Sequence, residues 1–291
     1  MKLNKILLVT KTGRTEFAKK IGQYDRLEPK DKENFSINDV ENKNTIDNIV
    51  NIVKSLGIEH TVIAREYLNE ECDNNLDYPI IPKDYDLVIS IGGDGTFIDT
   101  AQRTILQPIM GVKSTSASIG ALCTVNYHDD FERIFERLKV EDYVVEGRFR
   151  LEAVVDDELT PPAINEIEIG ATIREERENV STNYEIHPEG KDYEFESGSG
   201  LLISPKTGST GWYKNIREAI HTPFLDNEAR WVTMQYDEDK NYKIPVGAFF
   251  EGESFRVKSK VFFGRVHVDN ARYKIIYNST NKNQTSKSKS N

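Results

Sequence analysis

Residues 86–101 constrain this chain more than any other stretch. Asp86-Leu-Val-Ile-Ser-Ile-Gly-Gly-Asp-Gly-Thr-Phe-Ile-Asp-Thr-Ala101 joins a short, β-branched apolar run at 87–91 to three glycines within four residues, and then to a segment able to start a helix. A continuous apolar run of this length suits a strand buried in a parallel sheet. Glycines permit positive φ angles and close approach of a ligand to the main chain. The helix that follows would point its unpaired N–H groups back at the loop, which favours a bound phosphate. Asp94 stands in the middle. A carboxylate beside a phosphate cradle repels the phosphate, unless it binds a metal or takes a proton from an attacking hydroxyl. The alternative is a Gly-rich turn with a solvated aspartate, and the loop by itself leaves both readings open.

Composition narrows the classes. A chain of 291 residues holds one large or two modest domains with ample core, and 37% hydrophobic against 30% charged residues fits an ordinary soluble protein. The formal net charge of −10 argues against nucleic-acid or anionic-membrane partners, which need a basic surface. It does not exclude nucleotides, held by local N–H groups and a few cations. Cys72 and Cys123 are the only cysteines, so neither a disulfide framework nor a thiolate metal cage is expected. No apolar run approaches the roughly 20 residues of a membrane span. The first strand begins close to Met1, without room for a signal peptide, and a cytoplasmic protein is expected. The five histidines, His60, His128, His187, His221 and His267, lack ligand spacing.

Along the chain, 5–10, 61–64, 87–91 and 108–112 read as strands, and Lys11-Thr-Gly-Arg-Thr-Glu-Phe17 opens a helix. Residues 24–43 are polar and unpatterned and read as a long loop. Ile46, Ile49, Val50, Val53 and Leu56 recur at helical spacing, with Thr45 as N-cap and Gly57 as stop. Alternating strands and helices predict a doubly wound parallel sheet, with ligands outside the carboxyl ends of its strands. Residues 128–140 read as an amphipathic helix. Beyond it, short β candidates at 143–155, 163–170, 183–187, 201–203, 255–258, 261–268 and 273–277, with one helix at 208–219, predict a mostly β, sandwich-like second domain. The expected domains are 1–127 and 128–277, and the tail 278–291, which has no apolar residue, is expected to be disordered.

Two further segments carry chemistry. Asn165 and Glu166 fall inside the 163–170 strand pattern, where an amide and a carboxylate can hydrogen-bond ribose hydroxyls or a base edge, or form an ordinary exposed edge. Ser197-Gly-Ser-Gly-Leu-Leu-Ile-Ser-Pro-Lys-Thr-Gly-Ser-Thr-Gly-Trp-Tyr213 runs from a strand into a hydroxyl- and glycine-rich loop. There Thr207, Ser209 and Thr210 offer caps and donors, and Trp212 is either a stacking platform or core.

Glycine loop with Asp, then Asn-Glu, then Thr-Gly-Ser-Thr: this ordered set resembles the NAD kinase family. Lys11-Thr-Gly-Arg-Thr-Glu-Phe17, Gly111-Val112, Gly120-Ala-Leu-Cys123, Arg148-Phe-Arg-Leu151 and Thr207-Gly-Ser-Thr-Gly-Trp212 look like its mitochondrial-type branch, so the likeness covers most of 5–217. It implies a two-domain phosphotransferase that uses ATP and a divalent metal such as Mg²⁺ to phosphorylate the adenosine 2′-hydroxyl of NAD, as a homodimer or higher homo-oligomer. The family's catalytic Asp falls on Asp94, and its glycine loop on Gly92, Gly93, Gly95 and Thr96. Its NAD-holding pair falls on Asn165 and Glu166, and its third motif on Thr207, Gly208, Ser209 and Thr210, followed by Trp212. The wider family's Asp is here Ser199, and its Tyr is Trp212; both agree with the mitochondrial-type branch. The family's Asn after Gly111-Val112 is replaced by Lys113, which pairs with a phosphate or is solvated. No Walker-type Gly-Lys-Ser/Thr is present. Lipid or diacylglycerol kinases share the glycine loop but lack the Asn-Glu and Thr-Gly-Ser-Thr pairing. A catalytically idle NAD(P)(H)-binding protein is the rival from another class.

Overall fold

The computed structural model describes residues 3–71, 80–126, 130–171, 182–188, 194–216, 219–235, 246–261, 263–269 and 271–277. Cys72, His128 and the tail from Asn278 onward lie outside them. The chain divides into two compact units, Met1–Glu146 and Gly147–Asn291. The boundary expected after 127 thus falls about twenty residues later. The reason is α4 (Phe131–Lys139), whose Phe131, Phe135 and Leu138 share a buried core with the first unit's strands.

In the first unit, β1 (Lys5–Thr10), β2 (Glu59–Ala64), β3 (Leu87–Gly92) and β4 (Ile109–Lys113) form a wholly parallel sheet in the order β2-β1-β3-β4. The chain builds outward in opposite directions from β1 and β3, so the crevice at their carboxyl ends is a topological switch point. Side chains alternate between faces. Leu87, Ile89 and Ile91 join a core with Ile49 and Val53 of α2 and with α4, and Val88 packs on the other face with Leu7, Val9, Ile63, Leu68 and Ile81.

The segment expected to be a loop, 24–43, is mostly helix. A 3-10 turn, Tyr24–Arg26, precedes α2, which runs for 27 residues over Pro29–Ser55, with Pro29 in its first turn and Gly57 (φ 68°) just beyond its end. Thr45 is therefore no cap: it is buried mid-helix, and its hydroxyl donates to the Ser114 carbonyl at 3.0 Å. The amino-terminal half of α2 escapes an apolar periodicity search because its partners are loop backbones. Asn42 donates to the Lys11 carbonyl at 3.0 Å. The Asp39 carboxylate accepts from the N–H groups of Arg14 and Thr15 at 2.6 and 3.0 Å, and Glu41 accepts from Ser116 N–H at 2.9 Å. Polar side chains that satisfy loop backbone groups take the place there that Ile and Val take further along.

The second unit is β-rich. A six-stranded antiparallel sheet runs β12 (Val246–Phe250), β11 (Glu228–Met234), β10 (Gly200–Pro205), β7 (Ile167–Ala171), β14 (Phe263–Val268), β15 (Ala271–Tyr277). A three-stranded sheet runs β13 (Phe255–Ser259), β8 (Thr182–Pro188), β9 (Glu194–Gly198). Tyr184 and Ile186 of the smaller sheet share a core with Leu201, Ile203, Ala229, Trp231 and Val266 of the larger. The opposite face of the larger sheet packs Leu202, Val232 and Met234 under Tyr213, Ile216 and Ala219. Both faces are covered, so β10 and β11 are buried along their whole length.

Several expectations for this unit need correction. Residues 143–155 are largely irregular, with only β5 (Val154–Val155) pairing β6 (Glu158–Leu159) and a single bridge from Leu151 to Ala163. β7 starts at Ile167, which leaves Asn165 and Glu166 in a turn rather than inside a strand. The helix expected over 208–219 is instead two short 3-10 turns, Lys206–Thr210 and Tyr213–Asn215. Gly208 and Gly211 disfavour a continuous helix there. β9, β11 and β12 were not anticipated.

Candidate active site

The site residues of the first unit cluster where β3 ends. Glycine is required there for close packing, not for unusual dihedrals: none of Gly92, Gly93 and Gly95 has a positive φ. A Cβ on Gly92 would lie 2.3 Å from Thr96 Oγ1, and one on Gly93 would lie 2.8 Å from the Ile119 carbonyl oxygen. The buried Thr96 side chain thus packs back on the loop, while Gly95 is exposed.

Asp94 opens α3 (Asp94–Arg103) and is half-buried. Its N–H donates to the Ile119 carbonyl at 3.1 Å. Its two carboxylate oxygens accept from the N–H groups of Leu122 (2.9 Å) and Ala121 (3.2 Å). The 119–122 loop fixes the carboxylate's orientation and leaves further lone pairs able to accept a proton. Cys123 follows in the same loop. Burial and then the Asp94 charge push its thiol up to about 11 against the opposing pull of Lys113, so it stays protonated and unreactive at neutral pH. Lys113 is half-buried, its stem beside Gly120 and its residue paired in register with Gly92.

In the second unit the Asn165–Glu166 turn is pinned from behind by a residue the sequence did not single out. The Asp269 carboxylate accepts from the N–H groups of Ile164 (3.1 Å), Asn165 (2.7 Å) and Glu166 (3.1 Å), and Asp269 N–H donates to the Glu166 carbonyl at 2.8 Å. Asp269 itself adopts φ 51°, a left-handed conformation that Asp tolerates better than most residues. The only signal was an Asp-Asn pair between two strand patterns, which reads as an ordinary hairpin turn. With the backbone held this way, the Asn165 amide and the Glu166 carboxyl have no hydrogen-bond partner among the described residues.

Glu166 is 5% exposed, and burial first, with the Asp269 charge second, raises its pKa to about 7. A carboxyl so placed holds a proton that the unfolded chain has released. Its contribution to stability is complete below the ordinary value of 4.5 and is lost as pH rises through about 7. Between those values the stability of wild type should fall with pH, and Glu166→Gln should flatten that fall, as read from denaturant midpoints. An unchanged slope in the variant would remove the assignment.

The third motif packs directly on the second. A Cβ on Gly208 would lie 1.8 Å from the Asn165 carbonyl oxygen, and Ser204 Oγ donates to the same oxygen at 2.8 Å. Thr207 is buried, Ser209 half-buried and Thr210 exposed. Trp212 is 43% exposed, so of the two roles open to it the core one is excluded. The core position is taken instead by Tyr213, edge-on to Phe224 at 5.3 Å. Ser199 is exposed and its hydroxyl bonds the Gln235 side chain. In the region after 217 that matched no motif, buried Arg230 pairs with Glu228 and donates to the carbonyls of Ile220, Thr222 and Pro223. It clamps the chain that leaves the third motif.

Among the described residues no helix is long and apolar enough to cross a membrane, and no group of three or more His, Cys, Asp or Glu side chains is arranged to hold a metal ion. No family model matches the chain. It is similar to NAD kinase 2 of Oceanobacillus iheyensis, 28% identical over 156 residues that cover 53% of this chain and 56% of the relative. It is also similar to the NAD kinase of Halobacterium salinarum, 33% identical over 149 residues, 49% of this chain and 51% of the relative. The chain thus spans about half the length of the curated relatives it matches. Its fold is that of two solved structures. One is an NAD kinase from Archaeoglobus fulgidus in complex with ATP (TM-score 0.61, 17% identity, 94% of this chain and 86% of that one). The other is yeast NADH kinase complexed with NADH (TM-score 0.63, 16% identity, 94% and 77%).

Proposed function

We propose that this protein is an NAD kinase, which transfers the terminal phosphoryl group of ATP to the adenosine 2′-hydroxyl of NAD. The observation that carries the reading is the Asn165–Glu166 turn, whose amide and buried carboxyl have no hydrogen-bond partner among the described residues. A carboxyl as buried as that of Glu166 is costly to leave unpaired unless a ligand completes it. In this reading Asp94 accepts the 2′-hydroxyl proton, the oxygen forms its bond to the γ-phosphorus, and the bond to the β,γ-bridging oxygen breaks to release ADP. Glu166 and Asn165 bind the dinucleotide, and Trp212 offers an exposed aromatic face. Magnesium, when bound, would supply positive charge on the donor's phosphates, and no cluster of carboxylates among the described residues is arranged to hold it without them. The reading extends to the mitochondrial-type branch, supported by Ser199 and Trp212, and to a homo-oligomer in the cytoplasm.

The test is incubation with NAD, ATP and Mg²⁺ and assay of NADP, with NADH and polyphosphate as alternative acceptor and donor and diacylglycerol as the rival acceptor. NADP formation is expected. Dinucleotide binding without transfer from any donor would favour the idle binding protein. Asn165→Ala and Glu166→Ala should each weaken NAD binding by about 1–3 kcal/mol, measured by calorimetry. Unchanged affinity with a lowered unfolding midpoint would make the pair structural.

A further inference from the structure

We infer that Lys11 and Arg14, with Arg65 beside Gly95, form an oligophosphate-binding cluster at the carboxyl edge of the parallel sheet. Lys11 follows β1 directly, and its N–H donates to the Ile91 carbonyl at 3.0 Å, which sets it against the end of β3. Lys11 and Arg14 are both half-buried, and neither makes an ion pair among the described residues. Arg14 lies over the Phe35 ring at 5.8 Å. The nearby carboxylates are Asp39, whose two oxygens accept from the N–H groups of Arg14 and Thr15, and Glu66, which accepts from the Thr12 hydroxyl and lies 3.8 Å from Arg65 Nε. Lys11 carries the mark of this crowding. Burial first, then the charge of Arg14, lowers its pKa, with Arg65 adding to the effect and Asp39 opposing it.

Arg65 connects the pair to the glycine loop. Its Nη1 lies 3.5 Å from where a Cβ on Gly95 would stand, and its Nε pairs with Asp99 at 3.3 Å. In α3 the N–H groups of Gly95 and Thr96 have no hydrogen-bond partner among the described residues. Half-buried cations that repel one another are unfavourable in the absence of an anion. A linear anion carrying several charges would relieve that repulsion and engage both cations at once. The class of ligand is therefore a di- or triphosphate chain. Only the identity of its carrier, ATP, rests on the phosphotransfer reading. The length and sequence of α2 also gain a purpose, because Asp39 and Asn42 hold the 11–15 loop in place from behind.

The test is calorimetric titration of the full chain with inorganic tripolyphosphate and with ADP, metal-free, for wild type, Lys11→Gln, Arg14→Gln and the charge-retaining Arg14→Lys. Both probes should bind wild type. Each Gln variant should bind roughly tenfold or more weakly, and Arg14→Lys should retain more of the affinity than Arg14→Gln. In the kinase assay the Gln variants should raise KM for ATP and leave KM for NAD unchanged. Absence of tripolyphosphate binding by wild type, or unchanged affinity in both folded Gln variants, overturns the inference. If wild type makes no NADP but binds tripolyphosphate through Lys11 and Arg14, the kinase reading fails and this one stands. NADP formation with a normal KM for ATP in both variants gives the reverse.

Discussion

Asp94→Asn is expected to lower the rate of NADP formation by about two to four powers of ten, with dinucleotide affinity largely retained. A ribose hydroxyl is a poor nucleophile until its proton leaves, and an amide cannot accept that proton. The substitution has one structural consequence to be separated from the chemical one. Leu122 N–H and Ala121 N–H donate to different carboxylate oxygens, so an Asn can satisfy only one of them and turns its NH₂ toward the other. That donor-against-donor contact costs about 1–3 kcal/mol of local stability. Turnover, calorimetric NAD binding and the denaturation midpoint should therefore be measured together. Near-normal turnover would move Asp94 to a metal-binding or structural role. A loss of affinity as large as the loss of rate would mean that the loop had rearranged.

Gly208→Ala is expected to be the most damaging small substitution in the second unit. The added methyl would stand 1.8 Å from the Asn165 carbonyl oxygen and 2.6 Å from Ser204 Oγ. Neither neighbour can yield cheaply. The Asn165 backbone is held by Asp269 on its N–H and by Ser204 on its carbonyl. Overpacking against such a site typically costs about 1–3 kcal/mol or more. If the turn moves instead of the fold failing, NAD affinity should fall by about as much as in Asn165→Ala. Gly211→Ala is the control, since its nearest contact would be 3.3 Å, from the Gly208 carbonyl. Comparable midpoints and affinities in the two variants would show that the third motif does not brace the second.

What the sequence determined by itself was local. The run 87–91 entering a glycine loop specifies a buried strand and a tight βα turn whatever surrounds it, because chain stereochemistry and burial act within a few residues. The parallel sheet, the position of Asp94 and the order of the three motifs all follow from signals of that range. Tertiary structure decided everything whose partner lies far along the chain. The amino-terminal half of α2 looked like loop because Asn38, Asn42 and Thr45 occupy its buried face, and their partners include the backbones of Lys11 and Ser114. β11 was missed because Glu228 and Arg230 resemble solvated charges until their buried pairing is seen. Asp269 lies about a hundred residues from the turn it holds, and Gly208 about forty from the carbonyl it clears. A periodicity in one segment reports which face is buried, not against what. A polar side chain whose partner is a distant backbone group leaves no periodic trace, so α2, β11 and the brace behind Asn165 and Glu166 were decided only by the folded chain.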